Sequence, residues 1–411
     1  MAANSILILL LVILSFDFVF NKVLEFLNIK SMKEELPEEV KDIYDEEKYK
    51  KSVAYAKANN KFGLLTSTFS FILSFALLAT GFFGWFDQIV HDAIVTEEFV
   101  SLAFFGLLFL ASDISNIPFQ LYDTFVIEEK FGFNKTTPKT FILDKLKGYL
   151  LTGIIGGLIL FILLKLINLA GPDFWIYFWI VISVFILFIN MFYTSLILPL
   201  FNKLTPLEDG ELKTAIETYS KKVSFPLDNV FVIDGSKRSA KSNAFFSGIG
   251  KKKKIVLYDT LIENHTKEEL VAVLAHEVGH FKKKHIITGY LLSILQTGFT
   301  LFIMSLIIFS PAMSEALGGS QMAIHLNLLA FGILYSPISH FVGLFMNMLS
   351  RKNEYEADAF AKETYSGTFL QLALKKLSVD NLSNLFPHPA YVFINYSHPP
   401  LLKRLAAMED K

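Results

Sequence analysis

Hydrophobic positions in this chain gather into long runs instead of alternating at strand or amphipathic-helix spacing. A helix crosses the hydrocarbon layer of a bilayer with about 20 mostly apolar residues. Seven runs meet that length: Ser5–Leu27, Phe62–Trp85, Val100–Gln120, Gly148–Leu169, Phe174–Phe201, Ile286–Phe309 and His325–Ser350. The pattern predicts an all-α polytopic membrane protein with seven transmembrane helices. No Lys or Arg precedes the first run and no small-residue cleavage site follows it, so an uncleaved helix is expected and not a signal peptide.

Charge between the runs sets orientation. Lysines crowd the segments after runs one, three and five, from Lys30 to Lys61, Lys130 to Lys147 and Lys203 onward, and Arg351 and Lys352 follow run seven. The alternate loops, Asp87–Phe99, Ala170–Asp173 and Ser310–Ile324, contain neither Lys nor Arg. The positive-inside rule then places the N-terminus outside and the C-terminus in the cytoplasm. Four segments result: 1–201 with five spans, a cytoplasmic segment 202–285, spans six and seven in 286–350, and a helical cytoplasmic segment 351–411. Strand-like runs at Asn229–Ile233 and Lys254–Tyr258 make the cytoplasmic portion a small α+β unit. Lys251–Lys254 reads as a solvated hairpin turn, and Lys282–Lys284 as an anchor for span six at anionic headgroups.

Composition narrows the chemistry. Of 411 residues 53% are hydrophobic and 15% aromatic, with 42 Phe, and only 19% are charged, against about 25% in soluble domains. A net charge of -1 gives no reason to expect nucleic acid as a partner. Cysteine is absent, which excludes disulfides, thiol catalysis and thiolate-bound metal. Any metal must be held by His, Asp or Glu.

One motif stands out: His276-Glu277-Val278-Gly279-His280. On a helix, residues i and i+4 share a face, so both imidazoles can point at one metal, and zinc accepts nitrogen ligands without thiols. Glu277 adjoins the first ligand and suits a general base that passes its proton to a leaving amine. Thr266 and Glu269 match a capping box that starts this helix. A catalytic zinc needs a third protein ligand. The segment Glu354-Tyr-Glu356-Ala-Asp358 offers carboxylates, with Glu354 and Asp358 on one face and Glu356 turned roughly the other way. Glu354 suits the third ligand and Asp358 suits an acceptor that fixes a ligand histidine's tautomer. The same segment also fits a charged, solvated helix start. His398 precedes Pro399-Pro400, so its backbone is expected outside a helix. His91, His265, His285, His325, His340 and His388 have no motif around them and read as surface, interfacial or packing residues. Asp17, Asp113, Asn347 and Lys165 lie in or near the spans, where polar groups pair, snorkel or face water.

Taken together, the HEVGH helix, the NEYEAD segment, the run from Tyr396 through His398 to Arg404, and the stretch Leu121–Lys135 resemble the CAAX prenyl protease 1 family of integral-membrane zinc metallopeptidases. The resemblance covers nearly the whole chain. It implies seven helices around a large water-filled chamber, with one Zn2+ held by His276, His280 and Glu354, Glu277 as base and Asp358 behind the ligands. It further implies that Asn243, Ala244, Phe245 and Phe246 form an edge strand that pairs with the substrate backbone, and that His398 and Arg404 steady carbonyl charge. On the residues alone, Asn243 fits an ordinary turn and His398 a lone surface histidine equally well. The implied substrates are chains ending in a prenylated cysteine motif, from which the last three residues are removed. A quality-control protease acting on unprenylated membrane proteins is the alternative, and a channel, transporter or scaffold with a closed structural metal is a third. The lack of cysteine, the compact length and the absence of a C-terminal retention signal suggest a bacterial plasma-membrane protein. Membrane lipid and a peptide or protein substrate are the expected partners.

Overall fold

The computed structural model of the chain describes residues 2–247 and 253–409. Among the described residues, six helical runs are long and apolar enough to cross a membrane: Ala3–Lys30, Glu46–Ala79, Glu97–Glu128, Pro138–Phe201, His285–Ile307 and Ile324–Thr364. The fourth contains two of the seven expected spans. Its helix Gly157–Ala170 ends where Gly171 takes φ 54°, and after the short turn Gly171–Asp173 the helix Phe174–Phe192 packs back against it. The left-handed backbone at Gly171 makes this reversal without the steric cost a side chain would impose.

The second expected span needs correction. Its helix starts at Glu46 and stops at Ala79, and Trp85 belongs to a separate helix, Phe82–Ala93, which occupies much of the expected loop Asp87–Phe99. A continuous apolar run in sequence therefore conceals a helix break.

Only 6–22% of the residues in each apolar window are buried, so the long helices touch one another sparsely along much of their length. Polar groups at that depth find partners. Asp113 accepts from Lys145 at 2.7 and 2.9 Å and from the Tyr149 hydroxyl at 2.5 Å. Lys165 pairs with Glu98 at 2.8 Å, and Asn347 donates to the Ile394 carbonyl at 2.7 Å. At one end of the bundle the helices close over a core containing Leu10, Phe104, Phe174, Ile308 and Leu326. Here His325 is fully buried between the Ser101 hydroxyl at 3.0 Å and Asp87 at 2.7 Å.

The other end carries a four-stranded sheet: β1 (Leu204–Pro206), β2 (Leu227–Ile233), β3 (Ala244–Ser247) and β4 (Lys253–Tyr258), in the order β1-β2-β4-β3. β2 runs parallel to β4, and β3 is antiparallel to β4 with Ala244 opposite Leu257 and Phe245 opposite Val256. β3 is thus an edge strand. Of the turn expected at Lys251–Lys254, Lys251 and Lys252 lie outside the described residues, and Lys253 and Lys254 belong instead to β4. One face of the sheet packs through Val230, Ile255 and Leu257 onto the helix Lys267–Lys282, together with Ile216, Leu370 and Leu405, forming a second core.

Candidate metal centre

The HEVGH motif lies on the helix Lys267–Lys282, and its start is fixed as the sequence specifies. Thr266 Oγ1 accepts from the Glu269 amide at 3.3 Å, and Glu269 Oε2 accepts from the Thr266 amide at 2.9 Å. Lys376 adds a 2.8 Å contact to the same carboxylate. Glu354 and Asp358 lie on the helix Ile324–Thr364, which runs without interruption past the expected span boundary at Ser350. The two helices press together at Gly279. A Cβ there would sit 3.0 Å from Ala357 Cα and 3.1 Å from its carbonyl oxygen. Glycine therefore permits the close approach that brings Glu354 and Asp358 onto the two histidines.

His276 Nε2 and His280 Nε2 are 3.2 Å apart. Glu354 places Oε2 3.5 Å from His276 Nε2 and Oε1 3.3 Å from His280 Nε2. Ligands at about 2.0–2.1 Å in tetrahedral array are separated by about 3.3 Å, so this triangle has the size that a bound zinc-like ion requires. Among the described residues these three form the group able to hold a metal. Glu354 Oε2 is buried and makes no well-formed hydrogen bond, its nearest donors being Arg404 Nη1 at 3.3 Å and His276 Nε2 at 3.5 Å.

The surroundings fix these ligands. His276 Nδ1 donates to Asp358 Oδ1 at 2.8 Å. Arg404 grips Asp358 with Nε at 2.8 Å and Nη2 at 2.6 Å, and its Nη1 lies 3.3 Å from Glu354 Oε2. Burial alone would lower the His276 pKa, but the hydrogen bonds with Asp358 and Glu354 outweigh it and hold the metal-free imidazole at about 9. Burial pushes the Glu277 carboxyl up, toward the range a general base needs.

A cavity of about 610 Å³ opens over the site and is lined by Glu277, His398, Asn243, Ala244 and Phe245 besides the ligands. His398 lies outside any helix, as its place before two prolines implies, with Nε2 3.3 Å from Glu354 Oε1. Arg351 sets that position by donating to the carbonyls of Val392 at 3.2 Å and Tyr396 at 2.5 Å. Asn243 is exposed immediately before β3, with its carbonyl accepting from the Tyr258 amide at 3.1 Å. Arg404 also lines the cavity, yet its donors are engaged by the two carboxylates. His276, Glu277, His280, Glu354, His398, Arg404, Asn243, Ala244 and Phe245 thus line one cavity, with Asp358 behind His276, and nothing is described for the side chain of Phe246. Two residues to which the sequence assigns no role at the site adjoin it. His285 Nδ1 lies 3.1 Å from His280 Nδ1, and Glu356 Oε2 lies 3.1 Å from His285 Nε2.

Comparison with known proteins settles the lineage. Residues 25–203 match the family described as CAAX prenyl protease N-terminal, five membrane helices, and residues 206–411 match Peptidase family M48. CAAX prenyl protease 1 of Saccharomyces cerevisiae is 35% identical over 96% of this chain and 93% of the yeast protein. The chain belongs to the CAAX prenyl protease 1 family. The Homo sapiens homolog is 34% identical, with 91% of this chain and 88% of the human protein covered. The crystal structure of S. mikatae Ste24p superposes with a TM-score of 0.93 at 34% identity, covering 98% of this chain and 99% of that one. As a CAAX prenyl protease 1 family member, the protein is an integral, multi-pass membrane metallopeptidase.

Proposed function

We propose that the metal is zinc, one ion per chain, bound by His276, His280 and Glu354, and that the protein cuts a peptide bond near the C-terminus of prenylated chains. The observation that carries this reading is the triangle of donors on a cavity also lined by an edge strand. Three amino-acid ligands beside a solvent-sized space fit a catalytic site, whereas a structural site has four. Bound there, zinc supplies Lewis acidity to a water and to the substrate carbonyl.

The chain's own residues supply the rest. The outer edge of β3, unpaired among the described residues, offers backbone donors and acceptors that align an extended peptide without reading its side chains. Glu277 takes a proton from the attacking water as its oxygen bonds to the carbonyl carbon, and returns the proton to the amine as the C–N bond breaks. His398 Nε2, close to Glu354, is placed to donate to the carbonyl oxygen as negative charge grows on it. Arg404 holds Asp358 and Glu354 in place, which fixes the ligand geometry. The lysine-rich segments support a cytoplasmic location for this end of the molecule.

The test is an assay of purified protein on farnesylated and unfarnesylated versions of one peptide, with and without chelator. Chelator-sensitive cleavage that favours the farnesylated peptide is the expected result. Faster cleavage of unprenylated membrane chains would shift the assignment to quality control. Glu277→Gln should keep stoichiometric zinc and lose cleavage by at least about 100-fold. Retained cleavage would remove Glu277 from the mechanism.

A further inference from the structure

Both ligand histidines turn Nε2 toward one point, so each must carry its remaining proton on Nδ1 when a metal is bound. For His276 that proton goes to Asp358. For His280 the partner is a second imidazole, His285, itself only 9% exposed. We propose that His285 and Glu356 form a positioning relay for the second metal ligand, in which His280 Nδ1–H donates to His285 Nδ1 and His285 Nε2–H donates to Glu356. This inference rests on the reading of His276, His280 and Glu354 as the metal site.

The tautomers follow from one another. A metal-facing Nε2 on His280 leaves Nδ1 as donor, so the facing Nδ1 of His285, 3.1 Å away, must be bare. The His285 proton then lies on Nε2, where Glu356 accepts it at 3.1 Å. The backbone is arranged to make this contact. Between the HEVGH helix and the helix His285–Ile307, Lys284 takes the left-handed conformation with φ 62°. Such a conformation is costly for a side-chain-bearing residue, and here it swings His285 back over His280. The two ligand histidines are thereby held from independent directions, His276 by Asp358 under Arg404 and His280 by His285 under Glu356. Partners behind a ligand histidine typically change metal affinity by about 10–100-fold.

The experiment compares two replacements of His285 that separate hydrogen bonding from packing. His285→Phe keeps a ring of similar size and loses the acceptor. His285→Asn loses ring volume but keeps an acceptor on the same side-chain carbon. Zinc affinity of the full-length protein in detergent is measured by competition with a chromogenic chelator, and thermal unfolding of the metal-free protein is followed in parallel. His285→Phe should weaken zinc binding about 10–100-fold, with His285→Asn remaining within about 3-fold of the parent protein. Glu356→Gln, which still accepts, should hold affinity better than Glu356→Ala. If His285→Phe binds zinc as tightly as the parent, or if Asn falls as far as Phe, the relay is wrong. If the Asn variant alone loses metal-free stability and affinity, His285 serves packing. A parent protein that takes up no stoichiometric zinc overturns the metal site itself and the relay with it, and that result is read before any variant is compared.

Discussion

His276 carries the sharpest electrostatic consequence of the site. In the metal-free protein its proton is shared with Asp358 and Glu354, and its pKa stands at about 9 against about 6.5 for a free imidazole. The pair therefore adds stability to the metal-free fold that is fully present below about pH 6.5 and is lost as pH rises through about 9. Metal and proton compete for the same Nε2. At pH 7 nearly every metal-free His276 is protonated, so zinc uptake should release close to one proton from this residue. Calorimetric titration in two buffers of different ionisation enthalpy measures that number directly. Release should fall toward zero as the pH passes 9, and apparent affinity should rise about tenfold per pH unit up to that point. Flat affinity between pH 6 and 8 would contradict a protonated His276 in the metal-free site.

Between the two ligand-bearing helices the controlling residue is Gly279. Any Cβ there meets the backbone of Ala357, which cannot swing aside as a side chain tip can. Gly279→Ala should push the helices apart by several tenths of an ångström, costing about 1–3 kcal/mol of stability and loosening the grip on metal because Glu354 moves with Ala357. Thermal unfolding and chelator competition measured together test this, and an unchanged zinc affinity would show that the helices do not need that closeness. The same pair of helices shows what the sequence could disclose. The capping box, the i,i+4 histidines and the shared face of Glu354 and Asp358 are local properties of a 3.6-residue period and were legible. The break at Gly81 was hidden, because apolar residues continue across it. So was the reversal of Lys284, on which the contact between His280 and His285 depends. Periodicity turns Glu356 roughly away from Glu354, but its contact with His285 is decided by the next helix in the chain.

The whole molecule has two parts, each with its own core. One core closes the far end of the membrane bundle around Phe104, Phe174 and Leu326. The other unites the sheet with the HEVGH helix and the C-terminal helices. The helix Ile324–Thr364 connects them, its 41 residues spanning about 60 Å. Its first turns are buried in the bundle, and Glu354 and Asp358 are buried against the ligand helix near its other end. Arg404 bridges the two carboxylates through contacts that need no metal. Chelation should therefore abolish cleavage and lower the thermal midpoint while leaving helical content intact. With free zinc at 100 times its dissociation constant, binding contributes about 2.7 kcal/mol, and that increment should vanish on chelation and return when zinc is restored. Circular dichroism and scanning calorimetry on the detergent-solubilised protein distinguish the outcomes. Loss of helical signal on chelation would mean that the ion holds the bundle together. Loss of activity with the helices unchanged would mean that the ion organises chemistry on a scaffold already folded by apolar burial.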